Sequence, residues 1–159
     1  IIDVILGENI EIIRPYAFQS CTELKNIKFS NILKSLGECA LSMTGLEEII
    51  IPESVDSMET YVFWKCANLV KAEIASPISE LPLGTFNQCP MLEQVKLPDS
   101  ITIIGEECFR LCTKLTTMDL PKNISEIRKN AFRSCEKLTD INLHRIYICI
   151  FWFTKYRYS

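Results

Sequence analysis

Residues 92–114 read L-E-Q-V-K-L-P-D-S-I-T-I-I-G-E-E-C-F-R-L-C-T-K. Val95 and Leu97 alternate with polar neighbours, the pattern of a half-buried strand. Pro98 follows, where a residue without an amide donor ends the pairing. Ile101 and Ile104 make a second apolar pair, Gly105 sits at a turn, and Cys108-Phe109 close the unit with Cys112 three residues later. No segment of this length buries its apolar side alone, so the unit needs copies of itself above and below.

The copies are present. A large apolar residue recurs at Phe18, Leu41, Phe63, Phe86, Phe109 and Phe132, in steps of 23, 22, 23, 23 and 23 residues. A fixed period of this size means a solenoid, and a solenoid works through an extended surface, not a pocket of catalytic groups. Units start at Ile1, Leu24, Leu46, Leu69, Leu92, Leu115 and Leu138. Three residues on come Val4, Ile27, Ile49, Ala72, Val95, Met118 and Ile141, and two further Leu6, Phe29, Ile51, Ile74, Leu97, Leu120 and Leu143. These point inward from short parallel strands. The second apolar pair runs from Ile10 and Ile13 to Ile124 and Ile127.

Gly37 and Gly105 share a turn column with Arg14, Glu59, Pro82 and Arg128, so that column does not demand positive φ. A small residue, the large apolar residue and often Cys end the unit, as in Ala131-Phe132-Arg133-Ser134-Cys135. This segment reads as one helical turn that lowers the Phe into the core. The unit at 24–45 is one residue short and carries Leu41 and Thr44 in place of Phe and Cys. The missing residue is placed in a surface turn between Leu41 and Leu46, where local looseness is expected.

The totals agree with a folded domain. The chain has 159 residues, 48% hydrophobic and 23% charged, which excludes a disordered composition. With 17 basic and 20 acidic residues the net charge is -3, which gives no broad electrostatic reason to bind nucleic acid or an anionic membrane. The longest apolar run, 146–153, is too short to span a bilayer, so no transmembrane segment is expected in this piece. The chain opens on Ile1-Ile2-Asp3 with no secretory signal and already inside a repeat. We read that start as a cut through a longer array, with any localisation signal outside it.

The pattern L-x-x-I-x-L-P-x-S-I-x-x-I-G-x-x-A-F-x-x-C over 1–143 resembles the BspA-like class of leucine-rich repeats, found in surface proteins of bacteria and parasitic protists. The resemblance implies a right-handed solenoid with a parallel β-sheet on one face, and short strands, turns and one-turn helices on the other. It also implies a cell-surface or extracellular setting and attachment to a protein or glycan; the residues themselves offer no catalytic set and no cofactor site. Residues 144–159 depart from the template: His144 replaces Pro, and R-I-Y-I-C-I-F-W-F-T-K-Y-R-Y-S follows. That tail is an atypical cap over the last repeat, a terminus produced by truncation or a misread gene end, or a partner site.

Five of the eight cysteines, Cys21, Cys66, Cys89, Cys112 and Cys135, share one column, with Thr44 in the same position. Neighbouring rungs about 4.8 Å apart would bring such cysteines within disulfide range. Side chains pointing the same way into a core suit a bridge poorly, however, and free Cys packs as a small hydrophobe. Buried free thiols are therefore favoured over disulfides, and disulfides over metal or redox chemistry. His144 is the only histidine, no C-x-x-C occurs, and no nucleophile–base set or phosphate loop stands out.

The residues left facing solvent on the sheet are the candidate binding face. One column is Asp3, Asn26, Glu48, Lys71, Gln94, Thr117 and Asp140; the other is Ile5, Lys28, Ile50, Glu73, Lys96, Asp119 and Asn142. Opposite charges alternate on adjacent rungs, Glu48 with Lys71, then Glu73, Lys96 and Asp119. Any single pair is a self-neutralising surface contact; the face as a whole is a polar recognition strip. It carries no aromatic cluster and no basic stripe, so nothing in it names the ligand. Asn123-Ile124-Ser125 matches a glycosylation sequon in the loop after Pro121.

Three function classes follow. The leading one is a surface-associated binding module, with an intracellular scaffold and a spacer or truncated fragment as alternatives.

Overall fold

The computed structural model describes residues 1–141. Asn142, Leu143, His144 and the 144–159 tail lie outside them. Each unit contributes two short strands, one to each face of a stack of parallel rungs. On the first face lie β1 (Asp3–Ile5), β3 (Asn26–Lys28), β5 (Glu48–Ile51), β7 (Lys71–Ile74), β9 (Gln94–Lys96), β11 (Thr117–Met118) and β13 (Asp140–Ile141). On the second lie β2 (Ile12–Ile13), β4 (Ser35–Leu36), β6 (Ser57–Met58), β8 (Glu80–Leu81), β10 (Ile103–Ile104) and β12 (Glu126–Ile127). Register advances by one repeat per rung, as in Val4 opposite Ile27, Ala72 opposite Val95 and Ile104 opposite Ile127. In β5 the alternation is complete: Ile49 and Ile51 are buried while Glu48 and Ile50 face water.

Neither ladder is continuous. On the first face β1 pairs with β3, β5 with β7 and β9, and β11 with β13. The second face divides into β2–β4–β6 and β8–β10–β12. Between β3 and β5, and between β9 and β11, neighbouring strands lack ladder pairing. The first interruption follows the short unit, at whose end a Cβ on Gly45 would collide with the Thr22 carbonyl of the rung before. Nothing in the structure explains the second.

The helical turn expected around the Phe column is not there. No helix occurs among the described residues. Instead, alternate amides leave the rung: Tyr16, Phe18 and Ser20 N–H donate to Glu38, Ala40 and Ser42 carbonyls at 2.8, 2.9 and 2.9 Å. The intervening amides of Ala17, Gln19 and Cys21 close turns onto Arg14, Tyr16 and Phe18. A helix would direct every amide along its own axis, so a backbone that spends every second one on the next rung cannot be helical. Positive φ makes this possible. Tyr16 and Ser20, Cys39 and Met43, Tyr61 and Lys65, Gly84 and Gln88, Glu107 and Leu111, and Asn130 and Ser134 all adopt φ between 52° and 65°. Each pair flanks the Phe column two residues before and two after. Gly37 and Gly105 are not among them, in line with their variable column.

The column itself is the spine. Phe63, Phe86 and Phe109 are fully buried, and the rings of Phe63–Phe86, Phe86–Phe109 and Phe109–Phe132 stack near-parallel at 5.4, 5.5 and 5.3 Å. Leu24, Leu46, Leu69, Leu92 and Leu115 close the core from the strand side. Ile10, which its column assigns inward, is 39% exposed.

The cysteine column continues the spine as free thiols. Each thiol donates to the carbonyl of the preceding rung's Phe-column residue: Cys66 to Leu41, Cys89 to Phe63, Cys112 to Phe86 and Cys135 to Phe109, at 3.2, 3.1, 3.2 and 3.0 Å. Thr44, where sulfur is missing, donates instead within its own rung to the Leu41 carbonyl at 2.9 Å, the same oxygen that accepts from Cys66. Burial pushes the Cys89 and Cys112 thiols well up, and those of Cys108 and Cys135 up to about 12. They are protonated packing groups, not nucleophiles.

Candidate binding face

The first-face strands hold the candidate residues in two parallel rows because successive side chains of a strand point to opposite sides. Asn26, Lys28, Glu48, Ile50, Lys71, Gln94, Lys96, Thr117, Asp119 and Asp140 are exposed, and Glu73 is half-buried. Asn142 lies outside the described residues. The expected cross-rung pairs form at the centre of the face: Lys71 Nζ to Glu48 Oε1 at 3.5 Å and Lys96 Nζ to Glu73 Oε1 at 2.6 Å. Asn26 Nδ2 donates to Asp3 Oδ1 at 2.7 Å. Such exposed pairs contribute about 0–1 kcal/mol each.

The alternation read from the sequence does not continue to Asp119. Among the described residues Lys96 pairs with Glu73 alone, and the interruption between β9 and β11 parts Lys96 from the next rung. Lys28 differs from the other lysines of the face. Among the described residues it makes no ion pair, and its row neighbours are Ile5 and Ile50, 79% and 61% exposed.

Each interruption opens a cleft. The one between β3 and β5 has a volume of about 350 Å³, with a floor of Ile27, Phe29, Ile49 and Pro52 and a rim of Asn26, Lys28, Glu48 and Ile50. The other, about 340 Å³, is lined by the polar residues Glu93, Gln94, Lys114, Thr116, Thr117 and Lys137 and reaches from β9 across β11 to the next rung. Sequence columns did not reveal either, since a break in pairing leaves the periodicity intact. A third recess of about 590 Å³ runs along the corner between the Phe arc and the first face, walled by Met43, Pro90 and Leu111. Its signal was the short unit, whose Thr44 and Gly45 line it.

Among the described residues no group of three or more His, Cys, Asp or Glu side chains could hold a metal ion. Cys112 is fully buried, and His144 lies outside the described residues. Asn123 is in an exposed turn, its Nδ2 donating to the Asp99 carbonyl at 3.5 Å, with Ile124 buried beside it.

Residues 1–93 and 79–156 match the BspA type leucine-rich repeat region, in 6 copies. The chain belongs to the BspA-type leucine-rich repeat family. A leucine-rich repeat protein from Bacteroides ovatus is 35% identical over 93% of this chain and 44% of its own, with a TM-score of 0.75. One from Eubacterium ventriosum, 23% identical over 86% of this chain and 37% of its own, gives a TM-score of 0.80. The Treponema protein TpLRR (T. pallidum), at 24% identity, covers 88% of this chain and 68% of its own at a TM-score of 0.82; these last two show the shared fold. The chain spans less than half the length of the first two. Among curated proteins none matches it significantly. Leucine-rich repeats of this family are generally protein-interaction modules and non-catalytic scaffolds.

Proposed function

We propose that the protein is a non-catalytic module of a surface-associated, adhesin-like repeat protein that binds a protein or glycan through its sheet face. The observation that supports this most is the division of labour within the rung. The inner columns are committed to the Phe spine, the thiol ladder and the leucines, while the two outward rows from Asp3 to Asp140 are free to vary and lie side by side along the stack. A ribbon of that kind is what a solenoid offers a macromolecule. Family resemblance supports a cell-surface or extracellular setting, in which Asn123 is a plausible glycan acceptor if the protein passes a eukaryotic secretory route.

The test is a panel of immobilised extracellular-matrix proteins together with a glycan array, repeated with the double variant K71E/K96E. Loss of about tenfold or more in the strongest signal, equivalent to ~1.4 kcal/mol, with an unchanged circular dichroism spectrum, supports the sheet face. Undiminished capture by the folded variant contradicts it and favours a spacer. Free, buried thiols favour a second reading, an intracellular scaffold built from the same repeat. The full open reading frame separates the two: an upstream signal sequence or downstream anchor supports the surface role.

A further inference from the structure

The face is not uniform, and its irregularity points to one place. Between β3 and β5 two parallel strands lie on neighbouring rungs without a ladder bond, so their facing edges keep unpaired backbone donors and acceptors. The cleft they leave has an apolar floor. Directly on its rim stands Ile50, in the interior of the stack yet 61% exposed. With Ile5 two rungs before it in the same row, Ile50 makes a pair of exposed aliphatic side chains that flank Lys28 beside the cleft.

Charge narrows the occupant. Lys71 and Lys96 already face Glu48 and Glu73, and Lys25 faces Glu47 at 3.4 Å. Among the described residues Lys28 has no carboxylate partner, and isoleucines stand on both sides of it. Asp3 is taken up by Asn26, and Glu48 by Lys71. A partner carboxylate set between apolar groups would meet Lys28 with those groups on Ile5 and Ile50. The one aromatic ring in the cleft, Phe29, sits half-buried in its floor among aliphatic side chains. The gap between β9 and β11 is comparable in size but polar, and its Lys114 already faces Glu93 at 3.8 Å.

We propose that the cleft between β3 and β5 is the docking point for an acidic–aliphatic protein segment. One apolar side chain enters between the strands, and an adjacent carboxylate pairs with Lys28. This rests on the sheet-face reading above and names its partner as protein, not glycan.

The probe is the peptide acetyl-Leu-Glu-Val-amide, titrated to about 5 mM into ¹⁵N-labelled protein, a range that detects even a millimolar site. Acetyl-Leu-Lys-Val-amide is the control. The expected result is amide shifts at Asn26, Ile27, Lys28 and 48–50 with the glutamate peptide. K28E should weaken that peptide about fivefold and favour the lysine peptide. I50S should weaken both. Both positions are exposed, so the variants fold. Equal binding of the two peptides, shifts confined to the corner recess, or no shift at the highest concentration overturns the proposal. If K71E/K96E abolishes capture of a larger partner while the peptide does nothing here, the sheet-face reading stands and this cleft falls alone.

Discussion

Replacing Phe86 with leucine asks whether the spine is an aromatic stack or only apolar filler. Phe86 is fully buried, and its ring lies 5.4 Å from Phe63 and 5.5 Å from Phe109. Phe86→Leu removes both ring pairs while keeping most of the apolar volume. At about 0.5–1.5 kcal/mol per aromatic pair beyond area burial, the loss is about 2 kcal/mol. Among the described residues Phe132 has one ring neighbour, at 5.3 Å, so Phe132→Leu should cost about half as much. Phe86→Ala adds the cavity and should cost about 4 kcal/mol. Urea unfolding followed by circular dichroism reads these losses. With a slope of about 2 kcal/mol per molar, Phe86→Leu lowers the midpoint by about 1 M and Phe132→Leu by about half that. Equal shifts in the two leucine variants, or shifts below about 0.25 M in both, would refute the stack as a source of stability. The natural Leu41 would then be an ordinary rung.

Other outcomes follow from the backbone and the thiols. Gly84 has φ +65°, and a Cβ there would collide with the Tyr61 ring; Gly84→Ala should cost at least about 2 kcal/mol from left-handed strain and overpacking. Gln88, at φ 62°, carries the same backbone strain without that collision, and Gln88→Gly should gain about 0.5 kcal/mol in the same unfolding assay. The Cys108 thiol titrates near 9.0 when unfolded and is pushed up to about 12 by burial. A folded value above the unfolded one means the contribution is complete below pH 9 and is lost as pH rises from there toward 12. The slope is about 1.4 kcal/mol per pH unit for one thiol. Unfolding midpoints of the parent and Cys108→Ala between pH 8 and 10.5 should therefore converge as pH rises; parallel curves contradict this. Buried Cys89 and Cys112 should resist a thiol reagent until urea reaches the unfolding midpoint, whereas early modification would mean the ladder opens locally.

Period, inward columns and outward rows were legible in the sequence because burial repeats with the rung. Phe109 and Val95 report their orientation through their neighbours in the columns. The Phe arc was misread because Ala131-Phe132-Arg133 has ordinary helical residues, and only Gly84 and Asn130 belong to types that favour positive φ. Tyr61, Glu107 and Leu111 accept left-handed backbone because bonds to the next rung outweigh about 1–2 kcal/mol of strain each, a tertiary effect with no local signature. The clefts escaped notice for a related reason. Pairing between β3 and β5 depends on how two rungs sit, and the residue missing near Gly45 hinted at looseness without showing which face it would open. The lone charge of Lys28 was visible in its row, but its meaning depended on Lys71 and Lys96 being neutralised beside it.

The most direct test of the account is where a macromolecular ligand touches the solenoid. Methyl-labelled protein, titrated with whichever binder the panel yields, places reporters on each surface: Ile5 and Ile50 on the sheet face, Met43 and Leu111 in the corner recess. The account predicts that Ile50 moves, with Ile5 beside it, while Met43 and Leu111 stay in place. Movement of Met43 and Leu111 with Ile50 unchanged would contradict it and put the binding site on the corner of the stack.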